Sequence, residues 1–242
     1  MIKILSIGNS FSEDAQRYVY GIARADGVSI KTVNLYIGGC TLERHHRNML
    51  SGRPEYDFQI NGIKNTGIKI SIDDALLLDN WDYITVQQQS LSSCNDETFV
   101  PYVDALTEKI RKYCPKAKLL MIQTWGYKNG SQMLINAGYE KHEFMFYDIR
   151  RSYKKIAERI NADGIIYAGE AVLLANKEGY DKIYRDEFHM SKGFGRYMIG
   201  LVVYGTITKN EITNNTFCDF DEEISEDGIA LAKRIASEVL SR

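Results

Sequence analysis

Several features that would point directly to a function are missing from this sequence. Its four cysteines, Cys40, Cys94, Cys114 and Cys218, form no Cys-x-x-Cys pair and no spacing typical of a zinc site. Free thiols in a reducing compartment are the simplest interpretation. Lysine and arginine are not gathered into blocks, and the formal net charge is −2. The composition therefore gives no support for nucleic acid or an anionic membrane as a partner.

Long apolar stretches and targeting signals are missing as well. No stretch approaches the roughly 18 apolar residues of a membrane helix. The N-terminus has neither a basic region nor an apolar run of signal length. We therefore expect a cytoplasmic protein without a membrane partner, and a processed secreted form is the alternative. The sequence does not predict an oligomeric state.

Motifs for cofactors and metals are also absent. There is no P-loop and no Gly-x-Gly-x-x-Gly, so nucleotide cofactors have no support. There is no Gly-x-Ser-x-Gly elbow either, which argues against the α/β-hydrolase fold. Glu43, His45 and His46 share one predicted helix, but their spacing does not place all three on one face. We expect neither a cofactor nor a metal ion.

The sequence does contain short apolar strands that alternate with amphipathic helices. A chain of 242 residues, 44% of them hydrophobic, suits one α/β domain over residues 1–242. Five β-α units in series predict a five-stranded parallel sheet with helices on both faces. The predicted strands are Ile2 to Ile7, Ser29 to Ile37, Asp82 to Gln87, Lys118 to Gln123 and Ile165 to Ala168. Residues 51–71 contain Asn-Gly and Asn-Thr-Gly turns between alternating residues, which predicts a surface hairpin insertion.

The first predicted strand ends at Gly8-Asn9, where Ser10, Ser12 and Asp14 open a helix. Two interpretations of Ser10 follow. A serine at a helix start is most often an N-cap. A strand that turns into a helix also places its turn at the carboxyl edge of a parallel sheet, where α/β proteins bind ligands. Ser10 is therefore either a helix cap, as Ser12 could be, or an exposed nucleophile that leaves Ser12 or Asp14 to cap the helix.

Three further patterns fall at predicted strand ends or just before a late helix: Gly38-Gly39, Gln87-Gln88-Gln89 and Asp186-Glu187-Phe188-His189. Each has a common structural explanation: Gly-Gly is usually a turn, a glutamine cluster is usually a solvated loop, and an Asp-x-x-His pair before a helix is usually a cap. Together they contain what acyl transfer by a serine requires. His189 can act as the base, Asp186 can orient it, and N–H groups of Ser10, Gly39 and a glutamine amide can stabilise an oxyanion. The combination favours Ser10 as a nucleophile.

In this order the motifs resemble those of the SGNH (GDSL-type) hydrolase superfamily. Gly8-Asn9-Ser10-Phe11-Ser12 resembles its first block, Ile37-Gly38-Gly39-Cys40-Thr41 its second, and Asp186-Glu187-Phe188-His189 its last. The resemblance implies a three-layer α/β/α sandwich with flavodoxin-like strand order. It also implies a triad of Ser10, Asp186 and His189, with Gly39 in the oxyanion hole.

One block departs from the superfamily pattern. The third block usually reads Gly-x-Asn-Asp and its asparagine is an oxyanion donor, whereas this chain has Thr85-Val86-Gln87-Gln88-Gln89-Ser90. A glutamine amide can donate as an asparagine amide does. We expect Gln87 in this role, and Gln89 is the alternative because it lies on the same strand face. The whole pattern resembles a bacterial branch of unknown function.

The resemblance implies a serine esterase. We expect a small acyl ester, an acetyl group on a carbohydrate, because similar substitutions occur in carbohydrate acetylesterase branches. A lysophospholipase, a thioesterase and a non-catalytic carbohydrate-binding protein on the same fold are the alternatives. Trp125 and Tyr127 follow the fourth predicted strand and are candidates for the substrate pocket, with core packing as the alternative for Trp125. Cys40 is expected to be a small buried thiol rather than a nucleophile.

Overall fold

All strands of the protein belong to one mixed sheet, and the computed structural model describes all 242 residues. In chain order its strands are β1 (Ile2–Gly8), β2 (Ile30–Tyr36), β3 (Tyr56–Ile60), β4 (Lys69–Ile70), β5 (Tyr83–Val86), β6 (Lys118–Ile122) and β7 (Gly164–Ile166). They lie in the order β4-β3-β2-β1-β5-β6-β7. The five strands from β2 to β7 across the sheet are parallel. This confirms the predicted flavodoxin-like order.

The sheet has seven strands rather than the five that were predicted. The segment 51–71 does form a hairpin, but β3 pairs antiparallel with the outer edge of β2, and β4 pairs with β3. The edge of β2 offers unpaired N–H and C=O groups, and a neighbouring strand satisfies them. The segment is therefore an extension of the sheet.

Helices cover both faces of the sheet, as the three-layer prediction requires. They are α1 (Ser10–Gln16), α2 (Val19–Ala25), α3 (Leu42–Ser51), α4 (Ile72–Leu77), α5 (Tyr102–Tyr113), α6 (Gln132–Asn136), α7 (His142–Arg159), α8 (Ala168–Lys177), α9 (Phe194–Thr208) and α10 (Glu226–Leu240). Helices α1, α2, α8, α9 and α10 pack on one face, and α3, α4, α5 and α7 pack on the other. None of the helices combines the length and the apolar character that a membrane crossing needs.

The central strand β1 shows why its sequence is apolar throughout. Successive side chains of a strand point to opposite faces. Ile4 accordingly packs into the core under α9, while Leu5 and Ile7 pack into the core on the α3 and α5 side. A strand buried on both faces lies in the middle of the sheet, so the turn that follows it is in the middle of the carboxyl edge.

Two helix starts differ from the sequence prediction. The spacing of apolar residues predicts one helix from Asp14 to Ala25, but the structure has two, α1 and α2, and α1 begins at Ser10 because Asn9 caps it. A further helix is predicted from Thr98 to Tyr113, and it begins instead at Tyr102, directly after Pro101. Proline lacks an N–H group and therefore suits the start of a helix better than its interior.

Candidate active site

Ser10 occupies the tight turn between β1 and α1. Asn9 is extended, with φ −139° and ψ −152°, and its side chain accepts a hydrogen bond from the Phe11 N–H at 3.0 Å. Asn9 is thus the N-cap, in place of Ser10, Ser12 or Asp14. The turn also requires a glycine at position 8, because a Cβ there would lie 2.4 Å from Ser12 Oγ. Ser10, relieved of capping, keeps its hydroxyl for another partner.

That partner is His189. Ser10 Oγ lies 2.8 Å from His189 Nε2, and His189 Nδ1 lies 2.8 Å from Asp186 Oδ2. With Asp186 ionised, Nδ1 carries the proton and donates to the carboxylate, so Nε2 accepts from the serine hydroxyl. The structure therefore brings together the three residues in the arrangement that a general base and its nucleophile require.

The loop between α8 and α9 holds Asp186 in the orientation that this contact needs. Asp186 Oδ1 accepts hydrogen bonds from the backbone N–H groups of Phe188 at 2.9 Å and His189 at 2.7 Å. Partial burial acts to raise the pKa of Asp186, but these bonds and the His189 ring outweigh it and lower that pKa below its usual value. Asp186 is consequently a stable anion beside the imidazole.

Gly39 lies in a turn at the end of β2, the strand next to β1. Its φ is +60°, a value that L side chains rarely adopt, and the Cys40 N–H closes the turn on the Ile37 carbonyl at 3.2 Å. The Gly39 N–H donates to no acceptor within the protein. Asn9 Nδ2 donates to the Cys40 carbonyl at 3.1 Å and so ties this turn to the serine turn. The Ser10 N–H, in the first turn of α1, has no acceptor inside that helix either.

The glutamines after β5 have three different environments. Gln87 is buried, and its amide donates to Asn9 Oδ1 at 2.7 Å. Gln88 is also buried and accepts from the Leu42 N–H at 2.9 Å. Gln89 is half-buried, and its amide nitrogen makes only a long 3.3 Å contact with Ser90 Oγ. Of the two candidate donors, Gln89 thus has the amide nitrogen with the weaker partner inside the protein.

Trp125 and Tyr127 are buried and do not line an open pocket, which for Trp125 is the core-packing alternative and for Tyr127 differs from the sequence prediction. The Trp125 ring is fully buried and stacks on Phe11 with centroids 4.1 Å apart, while its Nε1 donates to the Phe188 carbonyl at 2.8 Å. The Tyr127 hydroxyl is buried against Ser90 Oγ at 2.9 Å. Both rings are therefore buried, and Trp125 is hydrogen-bonded to the loop that carries Asp186 and His189.

Cys40 is next to Gly39 but is not available as a nucleophile. Its side chain is fully buried, and burial raises the pKa of the Cys40 thiol to about 12. The neighbouring His45 ring, 3.5 Å from the sulfur, is also fully buried, and desolvation lowers the pKa of His45 to about 3. The pair therefore stays neutral and packs as part of the core.

Asn9 connects all three turns of the site, a role that no sequence motif indicated. Its Oδ1 caps α1 and receives Gln87, and its Nδ2 holds the Cys40 carbonyl. One local signal was available, because asparagine is among the most favoured N-cap residues and directly precedes the helix. Its links to β2 and β5 depend on strand order and could not be seen locally.

The strand order and layers place the protein in a known structural class. It aligns with a protein from Slackia heliotrinireducens assigned to the SGNH hydrolases, with 22% identity and a TM-score of 0.61, over 85% of this chain and 98% of that one. It also aligns with a carbohydrate esterase of family 3 from Talaromyces cellulolyticus, with 10% identity and a TM-score of 0.57, over 86% and 97%. The protein has the SGNH-hydrolase fold.

Within this class the family is defined by sequence. Residues 3–239 match the model of DUF4886, a domain of unknown function, and the chain belongs to this family. A DUF4886 family protein from Bacteroides uniformis ATCC 8492 shares 30% identity and superposes with a TM-score of 0.91, over 99% of this chain and 95% of that one. No curated protein matches the sequence.

Proposed function

We propose that the protein is a serine ester hydrolase with Ser10 as its nucleophile. The observation that carries this proposal is the chain of 2.8 Å contacts from Ser10 Oγ to His189 Nε2 and from His189 Nδ1 to Asp186 Oδ2. A non-catalytic binding protein would have no use for an activated serine at the edge of the sheet. The hydrolases that share the fold support the same class of reaction.

The reaction proceeds through an acyl-enzyme. Ser10 Oγ attacks the ester carbonyl as His189 Nε2 takes its proton, and Asp186 stabilises the resulting imidazolium. The carbonyl oxygen becomes an oxyanion that accepts hydrogen bonds from the N–H groups of Ser10 and Gly39 and from the Gln89 amide. The C–O bond then breaks, and His189 returns the proton to the leaving alcohol. Water attacks the acyl-enzyme in the same way and regenerates Ser10.

A small acyl group suits the surroundings of Ser10. Four cavities of about 440, 570, 500 and 680 Å³ open elsewhere in the fold, and neither Ser10 nor His189 lines any of them. A long acyl chain needs an apolar channel beside the nucleophile, and the rings after β6 that could have formed one are packed into the core. We therefore infer a short acyl group, with acetyl as the simplest case, and the carbohydrate esterase of the same fold suggests a sugar as the leaving group.

Labelling and a chain-length series test this function. A fluorophosphonate should modify the wild type at Ser10, located by mass spectrometry, and should not modify Ser10→Ala. Hydrolysis of p-nitrophenyl acetate should fall by roughly 10⁴-fold or more in Ser10→Ala. Ser51→Ala, at an exposed serine far along α3, is the matched control and should keep full activity. Unchanged hydrolysis by Ser10→Ala would refute the assignment.

The same series of p-nitrophenyl esters separates the alternatives. Acetate should be hydrolysed faster than butyrate, and octanoate should be the slowest of the three. A preference for eight carbons or more would instead favour a lysophospholipase or thioesterase. A protein that binds sugars but neither hydrolyses acetate nor reacts with the fluorophosphonate would be the carbohydrate-binding alternative.

A further inference from the structure

A buried carboxylate lies one helical turn beyond Ser10 on α1. Asp14 is fully buried and accepts four hydrogen bonds. Arg185 Nη1 donates to both of its oxygens, at 2.8 and 2.9 Å, Arg196 Nε donates at 2.8 Å, and the Met190 N–H donates at 3.1 Å. A buried charge persists only with such partners, because an unpaired one costs several kcal/mol.

Two of these donors flank the catalytic turn on either side. Arg185 directly precedes Asp186, and Met190 directly follows His189. Their backbones also close on each other, because the Arg185 N–H donates to the His189 carbonyl at 3.0 Å and Arg185 Nη1 donates to the Met190 carbonyl at 2.5 Å. Both ends of the Asp186–His189 turn are thus fixed to the helix that carries the nucleophile.

We propose that Asp14 and Arg185 are positioning residues that hold His189 within hydrogen-bond distance of Ser10. The inference rests on the proposed role of Ser10 as nucleophile. No other side chain joins α1 to both ends of the 185–190 loop by charge-assisted bonds. Geometry of this kind matters because a misplacement of about 1 Å in a catalytic group can cost roughly 100-fold in rate.

The same network offers a matched control that does not contact the catalytic turn. Asp221 pairs with Arg196 Nη1 at 3.0 Å and with Arg17 Nε at 2.7 Å, but it makes no hydrogen bond to residues 185–190. Asp221→Asn therefore removes a carboxylate from the same cluster and leaves both ends of the loop attached. If the cluster has a purely structural role, substitution of Asp221 and substitution of Arg185 should lower kcat equally. If it positions His189, substitution of Arg185 should lower kcat and substitution of Asp221 should not.

Charge gives a second way to separate the two roles. Several charged groups lie around the loop. They are Asp186 and Glu187 of the loop itself, Arg185, Glu13 and Asp14 of α1, Arg196 of α9, and the Arg17–Asp221 pair that joins Arg196. The Tyr36 phenol at the end of β2 is a nearby neutral group. Arg185→Met removes a positive charge and favours the imidazolium, while Asp14→Asn removes a negative charge and disfavours it. The acid limb of the kcat/KM profile should therefore move to higher pH in Arg185→Met and to lower pH in Asp14→Asn.

The experiment compares Arg185→Met, Arg185→Lys, Asp14→Asn and Asp221→Asn in the full chain. We expect Arg185→Met to lower kcat for p-nitrophenyl acetate by roughly 100-fold with little change in KM, Arg185→Lys to recover part of the loss, and Asp221→Asn to keep kcat. Asp14→Asn leaves Arg185 without its anion and Arg196 with only Asp221 and Glu13, and this variant can fail to fold. Arg185→Met retains the Asp14–Arg196 pair and carries the test alone in that case.

Two results would overturn the inference. One is a wild-type kcat in Arg185→Met, and the other is an equal loss of kcat in Asp221→Asn and Arg185→Met at equal loss of Tm. A wild type that neither hydrolyses esters nor reacts with a fluorophosphonate would refute the proposed function instead. In that case NMR of the His189 ring tests the positioning independently of activity. The Nδ1 proton, which is hydrogen-bonded to Asp186, should exchange with solvent faster in Arg185→Met than in the wild type, and at the wild-type rate in Asp221→Asn.

Discussion

The amide of Gln87 donates a hydrogen bond to Asn9 Oδ1 at 2.7 Å, so the end of β5 supports the turn that presents Ser10. The superfamily pattern suggested Gln87 as a donor to the oxyanion. Its side chain is buried and already committed to Asn9, whereas the half-buried Gln89, two residues further, has an amide nitrogen with only a long contact. We therefore assign support of the turn to Gln87, and donation to the substrate by Gln89 is part of the proposed function.

Substitution of the two glutamines should separate these roles. Gln89→Ala is expected to lower kcat by about 100- to 1,000-fold, the usual cost of one oxyanion donor, with little change in Tm. Gln87→Ala should lower the free energy of unfolding by about 1 kcal/mol because it removes one of the two hydrogen bonds that Asn9 Oδ1 accepts and leaves only the one from the Phe11 N–H. Steady-state kinetics and thermal melting of both variants measure this. A large loss of kcat at unchanged Tm in Gln87→Ala, with Gln89→Ala active, would reverse the assignment.

Asn9 should be sensitive to a change that keeps its shape. Asn9→Asp retains the oxygen that caps α1 and receives Gln87, but it buries a carboxylate with one oxygen against the Cys40 carbonyl, so the Tm should fall. It loses the donor to the Cys40 carbonyl and adds a negative charge beside the developing oxyanion, so kcat should fall. Asn9→Ala, the comparison variant, removes the cap as well and should cost about 1 kcal/mol in stability for that bond alone. Full activity in Asn9→Asp would show that the tie to the Gly39 turn is dispensable.

The parts of this structure that the sequence predicted are those with local or periodic signals. The run of apolar residues from Ile2, the Gly38-Gly39 turn and the Asp186–His189 spacing each constrain a short stretch, and the alternation of strands and helices then places them at one edge. The Asp14–Arg185 pair is different, because 171 residues separate the two and nothing near Asp14 in the sequence distinguishes it from a helix-start acid. Likewise, the position of Trp125 after the fourth predicted strand suits a pocket residue. Only the stacking of Phe11 on its ring, a contact between distant parts of the chain, shows that it is buried.

Asp186 should contribute stability only above a certain pH. Its pKa is lowered in the folded state from the ordinary value of 3.8, so its contribution is complete above that value and is lost as the pH falls through the lower folded value. The difference in Tm between wild type and Asp186→Asn should therefore be constant near neutral pH and shrink below about pH 4. The side chain is 43% exposed, so the difference will be small.

The same variant has a much larger effect on catalysis. An asparagine at 186 donates to His189 Nδ1 instead of accepting from it, which leaves the proton on Nε2 facing Ser10. The loss of kcat at neutral pH should approach 10⁴-fold, by analogy with roughly that loss when a triad aspartate becomes asparagine elsewhere. A stability difference that persists unchanged to pH 3, or a nearly active Asp186→Asn, would contradict the assigned roles.

Trp125 should affect the stability of the protein and leave its acyl specificity unchanged. Trp125→Phe removes the indole N–H that donates to the Phe188 carbonyl at 2.8 Å, and the buried carbonyl left behind should cost about 1–3 kcal/mol. The order of rates for acetate, butyrate and octanoate esters should stay the same, because the ring reaches no open surface.

Phe188→Leu provides the contrast. The centroid of this half-buried ring lies 4.0 Å from that of the His189 ring, so its loss should change KM or kcat more than Tm. A changed acyl preference in Trp125→Phe at unchanged Tm would return Trp125 to the wall of the substrate pocket.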